Sequence, residues 1–248
     1  MENRLIYPIG TTSACRYAAD FLQAAGEAIV DHPTPEVTHL LLDVPSFSPG
    51  RGGNAEEILR MLPHSVTVVG GQLDLPFLED YKRIDLLKEE GYLAGNAAIT
   101  ADCALQVAAP LLRCTVQQAN ALVIGWGRIG KCLAKLLKVI GNDVTVAARK
   151  EADRTMLQAL GYRAVDPARL SGKLWNYRII FNTAPEMVLT EAQLRQTKNC
   201  VKIDLASRRG LGGDDVVWAR GLPGVHAPES AGELMARTIL RKLKEEVT

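Results

Sequence analysis

The chain has 248 residues, of which 47% are hydrophobic and 23% are charged. Its 29 lysines and arginines nearly balance its 28 aspartates and glutamates, so no basic surface for nucleic acid or for an anionic membrane is expected. No apolar run reaches the roughly 18 residues that a membrane span needs, and residues 1–4 lack the pattern of a signal peptide. We therefore expect a cytoplasmic protein with neither a nucleic-acid partner nor a membrane partner.

The cysteines and histidines give no sign of a metal site. Five cysteines are widely spaced without a C-x-x-C pair, which argues against both a disulfide framework and a zinc site. The four histidines show no ligand spacing. We expect no metal, and we interpret the cysteines as buried, reduced thiols.

Short apolar runs alternate with helical patterns over roughly the first ninety residues. The runs predict strands at 5–7, 28–30, 38–43 and 66–69, and the patterns predict helices at 15–25 and 56–62. This order predicts a small parallel sheet covered by helices, a flavodoxin-like α/β lobe over residues 1–95. Turn-forming residues at 45–53 predict either a mobile loop or a plain surface connection.

Two further helices are predicted to join this lobe to the rest of the chain. Residues 96–112 are nearly continuously apolar, which predicts a long buried helix. Residues 229–248 predict a closing helix that completes the N-terminal lobe. The remaining domain is predicted over residues 96–228. Two lobes joined by two helices would form a hinged cleft, where ligands prefer to bind.

A glycine-rich motif directly follows the apolar run at 121–124. It consists of Gly125, Trp126, Gly127, Arg128, Ile129 and Gly130. Between a strand and a helix this spacing is typical of a dinucleotide site, because the glycines allow a tight turn, a close approach to a pyrophosphate and close helix packing. The alternative is a glycine-rich turn without a ligand.

The next strand, predicted at 144–148, bears on the choice of cofactor. It ends in Arg149 and Lys150, where an NAD-binding chain would carry a carboxylate for the ribose hydroxyls. Two cations there favour the 2′-phosphate of NADP, although NAD remains an alternative. Further strands are predicted at 178–181 and 201–205. The sequence thus predicts an α/β fold with a Rossmann-type, doubly wound parallel sheet and a second, smaller α/β lobe.

Polar residues that follow the later strands are the remaining site candidates, because ligands bind beyond the carboxyl ends of parallel strands. The predicted cofactor contacts are Asn182, Thr183, Ala184, Asp204 and Ala206. The predicted substrate and catalytic residues are Ser207, Arg208, Arg209 and His226. An arginine can bind a substrate carboxylate in a bidentate manner, and a histidine can exchange a proton. For Asp204 a purely structural hydrogen-bonding role stays open, and so does a structural role for His226.

Taken together, these segments resemble the dipicolinate synthase A-subunit family of sporulating bacteria. The resemblance covers about residues 66–240, and its most specific pieces are Asp-Leu-Ala-Ser at 204–207 and Gly-Leu-Pro-Gly at 221–224. It implies a fold like that of the D-2-hydroxyacid dehydrogenases. The implied activity is NADP-dependent oxidation of a dihydrodipicolinate-type intermediate, a small dicarboxylate, to dipicolinate. The implied partner is a flavoprotein-like second subunit, and we also expect a homo-oligomer.

Two alternatives to this activity stay open. One is a D-2-hydroxyacid dehydrogenase-like enzyme, with His226 as the acid/base residue and Arg209 as the substrate clamp. The other is a catalytically silent nucleotide-binding or regulatory subunit, because the N-terminal lobe and the 207–221 segment are shorter than the family's. Turnover by the purified protein distinguishes the silent subunit from the enzymes, and formation of a pyridine dicarboxylate distinguishes the two enzymes.

Overall fold

The computed structural model describes residues 4–48 and 54–245. Residues 1–3, part of the predicted 45–53 loop at 49–53 and the end of the predicted closing helix at 246–248 therefore lie outside the described residues. The chain divides into two compact units, one formed by Met1–Asn96 with Pro223–Thr248 and the other by Ala97–Leu222. The predicted boundary after residue 95 is next to the observed one, and the predicted boundary after residue 228 is six residues beyond it.

The N-terminal unit is a five-stranded parallel sheet in the order β2-β1-β3-β4-β5. Its strands are β1 (Leu5–Pro8), β2 (Ala28–Ile29), β3 (His39–Leu41), β4 (Thr67–Gly70) and β5 (Lys82–Asp85). Its helices are α1 (Ser13–Ala24), α2 (Ala55–Met61), the first part of α3 (Glu90–Ala108), most of α7 (Leu222–His226) and α8 (Pro228–Glu245). This strand order is the flavodoxin-like one.

Two apolar clusters pack within this unit. In one of them the C-terminal helix α8 contributes Met235 and Ile239 to a core with Ile6 of β1 and Leu22 of α1. In the other, Ile58 of α2 packs with buried residues of β3 and β4. Because α8 shares its core with β1 and α1, the end of the chain belongs to the same folded unit as its beginning.

The second unit is a six-stranded parallel sheet in the order β11-β10-β9-β6-β7-β8. Its strands are β6 (Ala121–Ile124), β7 (Val144–Ala147), β8 (Arg163–Val165), β9 (Ile179–Asn182), β10 (Val201–Asp204) and β11 (Val216–Trp218). Its remaining helices are α4 (Arg128–Val139), α5 (Glu151–Ala159) and the short α6 (Glu191–Leu194). The sheet starts at β6, grows outward to β8 and resumes at β9 on the other side of β6, which is the Rossmann order. The predicted α/β class with a doubly wound parallel sheet is confirmed.

The central strands of this sheet explain why the sequence signal is strong. Every residue of β6, β7 and β9 is buried, because helices cover both faces of a parallel sheet. The edges differ: Arg163 of β8 and Trp218 of β11 are exposed. Within the described residues no helix is long and apolar enough to cross a membrane.

The structure corrects two expectations. Helix α3 begins at Glu90 rather than near residue 96, and buried residues alternate with exposed ones along it, so it is not a uniformly buried helix. Of the cysteines, only Cys15 and Cys103 are buried, whereas Cys114 is exposed. Burial and the Asp43 carboxylate raise the pKa of Cys15 to about 12, so that thiol stays protonated at neutral pH.

Candidate functional site

Three glycines shape the turn that joins β6 to α4. Gly125 has a φ of 104°, and a Cβ there would collide with Thr183 Oγ1. A Cβ on Gly130 would collide with the carbonyl oxygen of Gly125, so this glycine lets α4 pack closely on the turn. Gly127 has an ordinary φ of −79°, and no atom lies within 4 Å of the place that its Cβ would occupy. The fold therefore requires two of the glycines, and the space beside the third is open.

The N-terminus of α4 faces the same turn. Gly127 is its N-cap and offers no side-chain hydrogen bond, and its first turn contains no acidic residue. The N-cap residue therefore supplies no side-chain acceptor for the first backbone N–H groups of the helix, which carry the positive end of the helix dipole. Arg128 is exposed and Ile129 is half-buried in this first turn. Such a helix start can bind an anion such as a pyrophosphate.

Aromatic and cationic groups surround Trp126 inside the turn. The Tyr162 ring lies 5.8 Å from the Trp126 ring, in an edge-to-face arrangement. Lys131 Nζ lies 5.8 Å from the centre of the indole. Burial raises the pKa of Tyr162, so its hydroxyl is protonated at neutral pH. These contacts hold the half-buried indole beside the turn.

The end of β9 is tied directly to the glycine turn. The backbone N–H and the hydroxyl of Thr183 both donate to the carbonyl oxygen of Ile124, at 2.8 and 2.9 Å. The Asn182 side chain then forms two hydrogen bonds with Ala184, donating to its carbonyl oxygen at 3.0 Å and accepting from its N–H at 3.1 Å. Thr183 and Ala184 are half-buried, so both can contact a ligand over the turn.

Asp204, the last residue of β10, is fully buried and organises the neighbouring loops. Its carboxylate accepts hydrogen bonds from Asn182 Nδ2 at 2.9 Å and from the backbone N–H groups of Ala206, Gly210 and Leu211 at 3.1, 2.7 and 2.9 Å. Four donors on one carboxylate satisfy both of its oxygens. The side chain therefore acts on the site by positioning two loops, and Ala206 is buried beside it.

The end of β7 carries the two predicted cations, both exposed. Lys150 is the N-cap of α5 and makes no capping hydrogen bond through its side chain. Arg149 forms an ion pair with Glu186, with 2.8 Å between Nη1 and Oε1. Arg154 supports this tip from α5, because its guanidinium donates to the carbonyl oxygens of Ala148 and Arg149. Two guanidinium groups and one ammonium group are thus gathered around the tip of β7.

The predicted substrate residues that follow β10 are exposed. Arg208 has no hydrogen bond or ion pair with any residue that the structure describes, whereas Arg209 donates to the carbonyl oxygen of Gly213 at 3.0 Å. Ser207 is exposed beside them. His226 is also exposed, but it is the last residue of α7 and belongs to the N-terminal unit. The four predicted catalytic residues are therefore divided between the two units.

Sequence reasoning missed two residues of this region. Glu186 reaches Arg149 from 37 residues away along the chain, and no local pattern signals such a contact. Gly210 packs so closely on the 182–186 segment that a Cβ would lie 2.8 Å from the carbonyl oxygen of Ala184 and collide with Asn182 Nδ2. The sequence signal for that contact was that two strands, β9 and β10, each end in a polar residue, Asn182 and Asp204. Across the described residues, no group of three or more histidines, cysteines, aspartates or glutamates could hold a metal ion.

Comparisons with known proteins agree with this fold. The chain is 27% identical over 175 residues to the A-subunit of dipicolinate synthase from Bacillus subtilis (strain 168). That match covers 66% of this chain and 58% of the relative, so this chain matches little more than half of the relative's length. No protein-family model matches the chain.

Solved structures show the same fold over nearly the whole chain. The dipicolinate synthase A-subunit from Bacillus halodurans superposes with a TM-score of 0.82 at 20% identity, covering 97% of this chain and 98% of that one. The D-lactate dehydrogenase of Salmonella superposes with a TM-score of 0.60 at 15% identity, covering 98% and 97%. The resemblance to the dipicolinate synthase A-subunit family is confirmed, and the chain has the fold of NAD(P)-dependent dehydrogenases.

Proposed function

We propose that this protein is an NADP-dependent oxidoreductase that binds its dinucleotide over the glycine turn at residues 125–130. The observation that carries the proposal is the open space beside Gly127, which is the N-cap of α4 and has no side chain to occupy the helix start. A strand, a tight glycine turn and the start of the following helix are the elements that bind a pyrophosphate in this fold. The turn also lies at the switch point between β6 and β9, where such sheets bind their ligands.

The residues around the turn fit the parts of a nicotinamide dinucleotide. The backbone N–H groups of residues 125–130 would hold the pyrophosphate. Arg149 and Lys150 would bind the 2′-phosphate of NADP, and Thr183 and Ala184 would contact the nicotinamide half. NAD is the alternative cofactor, because its ribose carries two hydroxyls and needs no cation. When bound, the cofactor supplies the hydride acceptor.

The reaction that the likeness to the dipicolinate synthase relatives supports is oxidation of a dihydrodipicolinate-type dicarboxylate to dipicolinate. The substrate loses a hydride to the cofactor and a proton to a base. In this proposal Arg208 and Arg209 bind the carboxylates, Ser207 orients the ring and His226 accepts the proton. Because Asp204 accepts from the N–H groups of Ala206 and Gly210, it fixes the loop that carries the two arginines.

One alternative reaction is favoured by a specific observation. The fold is shared with D-lactate dehydrogenase, and His226 is an exposed imidazole that can exchange a proton with a hydroxyl group. If the purified protein oxidises a D-2-hydroxy acid and forms no pyridine dicarboxylate, it is a D-2-hydroxyacid dehydrogenase. A protein that binds the dinucleotide and turns over neither substrate would establish a regulatory subunit.

Partners and location complete the proposal. The solved and curated relatives are themselves subunits of a synthase, so we propose that this chain forms a homo-oligomer and works together with a flavoprotein-like second subunit. We place it in the cytoplasm, where a nicotinamide cofactor is available.

Replacing Arg208 or Arg209 by alanine is expected to lower kcat/KM for the dicarboxylate at least tenfold, while NADPH affinity stays within a few-fold. Both arginines are exposed in the free chain, and in this proposal the bound dicarboxylate buries its pair with them. Loss of one partner from a buried charge pair commonly costs about 2–5 kcal/mol, which corresponds to a tenfold effect or more. The lysine variants should also be impaired, because an ammonium cannot reproduce the planar, bidentate pairing of a guanidinium. Steady-state rates with dihydrodipicolinate generated in situ measure this.

Arg163→Ala is the matched control for these variants. Arg163 is an exposed arginine of the same unit, and as the first residue of β8 it lies at the opposite end of the parallel sheet from the loop that follows β10. It should turn over substrate at the wild-type rate. Wild-type rates in both the Arg208 and Arg209 alanine variants would show that these arginines do not bind the substrate.

A further inference from the structure

The ion pair between Arg149 and Glu186 joins two strand ends on opposite sides of the glycine turn. Arg149 follows β7 and Glu186 lies beyond β9, and these two strands flank β6 in the sheet. Arg149 Nη1 lies 2.8 Å from Oε1 and 3.0 Å from Oε2 of Glu186. Both oxygens of the Glu186 carboxylate thus contact the same guanidinium nitrogen, Nη1 of Arg149.

The backbone on both sides of this pair is anchored. The segment before Glu186 is held by the two hydrogen bonds between Asn182 and Ala184. The segment after it is held by Val188, whose N–H donates to the carbonyl oxygen of Gly210 at 2.8 Å. On the other side, Arg154 binds the carbonyl oxygens of Ala148 and Arg149. The pair therefore joins two fixed loops.

This contact changes the charge at the end of β7. The local sequence places Arg149 and Lys150 there, ahead of Glu151 at the start of α5, which favours a 2′-phosphate. The fold brings in a carboxylate from a distant loop, at the strand end where NAD-binding chains of this fold carry an acidic residue. A carboxylate beside the adenosine ribose repels a 2′-phosphate, which carries nearly two negative charges at neutral pH, and can accept a hydrogen bond from a 2′-hydroxyl.

We propose that Glu186 is a residue that determines cofactor selectivity in this protein: by occupying Arg149 it weakens binding of NADP(H) and preserves binding of NAD(H). This inference rests on the proposed function, since it assigns a role in the dinucleotide site at residues 125–130. The 2′-phosphate must compete with Glu186 for Arg149, whereas a ribose with a 2′-hydroxyl leaves the ion pair intact. Removing the carboxylate therefore strengthens binding of the phosphorylated cofactor selectively.

The test is Glu186→Gln, which keeps the size of the side chain and removes its charge. We expect the Kd for NADPH to fall by about three- to tenfold, the range for one exposed charge close to a phosphate, and the Kd for NADH to stay within twofold or to rise. Fluorescence titrations of the full chain measure both constants. Adenosine 2′,5′-bisphosphate and AMP, titrated in parallel, isolate the contribution of the 2′-phosphate. The gain should shrink as salt increases, because exposed charges are screened.

Asp143→Asn is the matched control. Asp143 also forms an exposed ion pair with an arginine, Arg163, at 2.6 Å, and it precedes β7 at the opposite end of the strand. The control removes the same charge and should change neither constant by more than twofold. A second variant, Arg149→Gln, should weaken NADPH binding and leave the Kd for NADH nearly unchanged. It removes the guanidinium for which Glu186 and the 2′-phosphate compete.

The outcomes distinguish this inference from the proposed function. If the wild type binds a dinucleotide and Glu186→Gln leaves NADPH affinity unchanged, the selectivity role is wrong and the proposed function stands. An equal gain in NADPH affinity in Glu186→Gln and Asp143→Asn would reflect the change in net charge alone. It would also overturn the selectivity role. A wild-type protein that binds neither NADPH nor NADH would overturn the proposed function, and the selectivity role with it.

Discussion

Gly127→Val is expected to abolish dinucleotide binding while the protein stays folded. The φ of Gly127, −79°, is accessible to valine, and no atom lies within 4 Å of the added Cβ, so the thermal midpoint should stay within a few degrees of the wild type. The new side chain fills the open space that a pyrophosphate needs. Titration with NADPH and NADH, combined with thermal unfolding, measures both expectations.

Gly130→Val is the matched control, because it places the same side chain in the same turn. A Cβ at Gly130 collides with the carbonyl oxygen of Gly125, a backbone atom that cannot move without displacing α4 from the sheet. This variant should lose stability and, with it, binding. Full binding by Gly127→Val would show that the nucleotide does not lie over this turn.

Asp204→Ala is expected to lower the free energy of unfolding by about 3–5 kcal/mol, because it removes a buried carboxylate that accepts four hydrogen bonds. The Asn182 amide would keep its bond to the carbonyl oxygen of Ala184, whereas the N–H groups of Ala206, Gly210 and Leu211 would lose the acceptor that the structure gives them. Because the same carboxylate ties the 182–186 segment to the 206–211 loop, dinucleotide affinity should fall as well. Chemical denaturation, followed through the unfolding of the second unit, measures the change in the free energy of unfolding.

Asp214→Ala controls for loss of an aspartate from the same part of the chain. Asp214 is exposed, so its replacement should change the free energy of unfolding by no more than about 0.5 kcal/mol. A loss below about 1 kcal/mol in Asp204→Ala would contradict the structural role that we assign to this carboxylate.

The central part of the second unit could be predicted from the sequence because its signals are local. The strand at 121–124, the glycine turn and α4 follow one another directly, and burial on both faces makes the strands β6, β7 and β9 continuous apolar runs. The strands β5, β8 and β11 were not predicted, because they are short and lie at sheet edges, where exposed residues such as Arg163 and Trp218 break the apolar pattern.

The candidate site could be predicted only in part. Which strand ends carry polar residues is visible in the sequence, and Thr183 and Asp204 were identified in this way. How their hydrogen bonds are used depends on loops that meet only in the folded chain: Asp204 binds the backbone of its own loop and the side chain of Asn182. The Glu186–Arg149 pair is the clearest case, because its partners are 37 residues apart and neither carries a local signal for the other.

Hydrogen–deuterium exchange with and without NADPH tests the central claim most directly, namely that the dinucleotide binds at the β6–α4 turn. The N-cap residue Gly127 gives the first N–H groups of α4 no side-chain acceptor, so they should exchange quickly in the free protein and slowly in the complex. We predict that protection is concentrated at residues 125–131 and 183–186. Protection confined to other segments, or exchange at 125–131 that NADPH leaves unchanged, would contradict the claim.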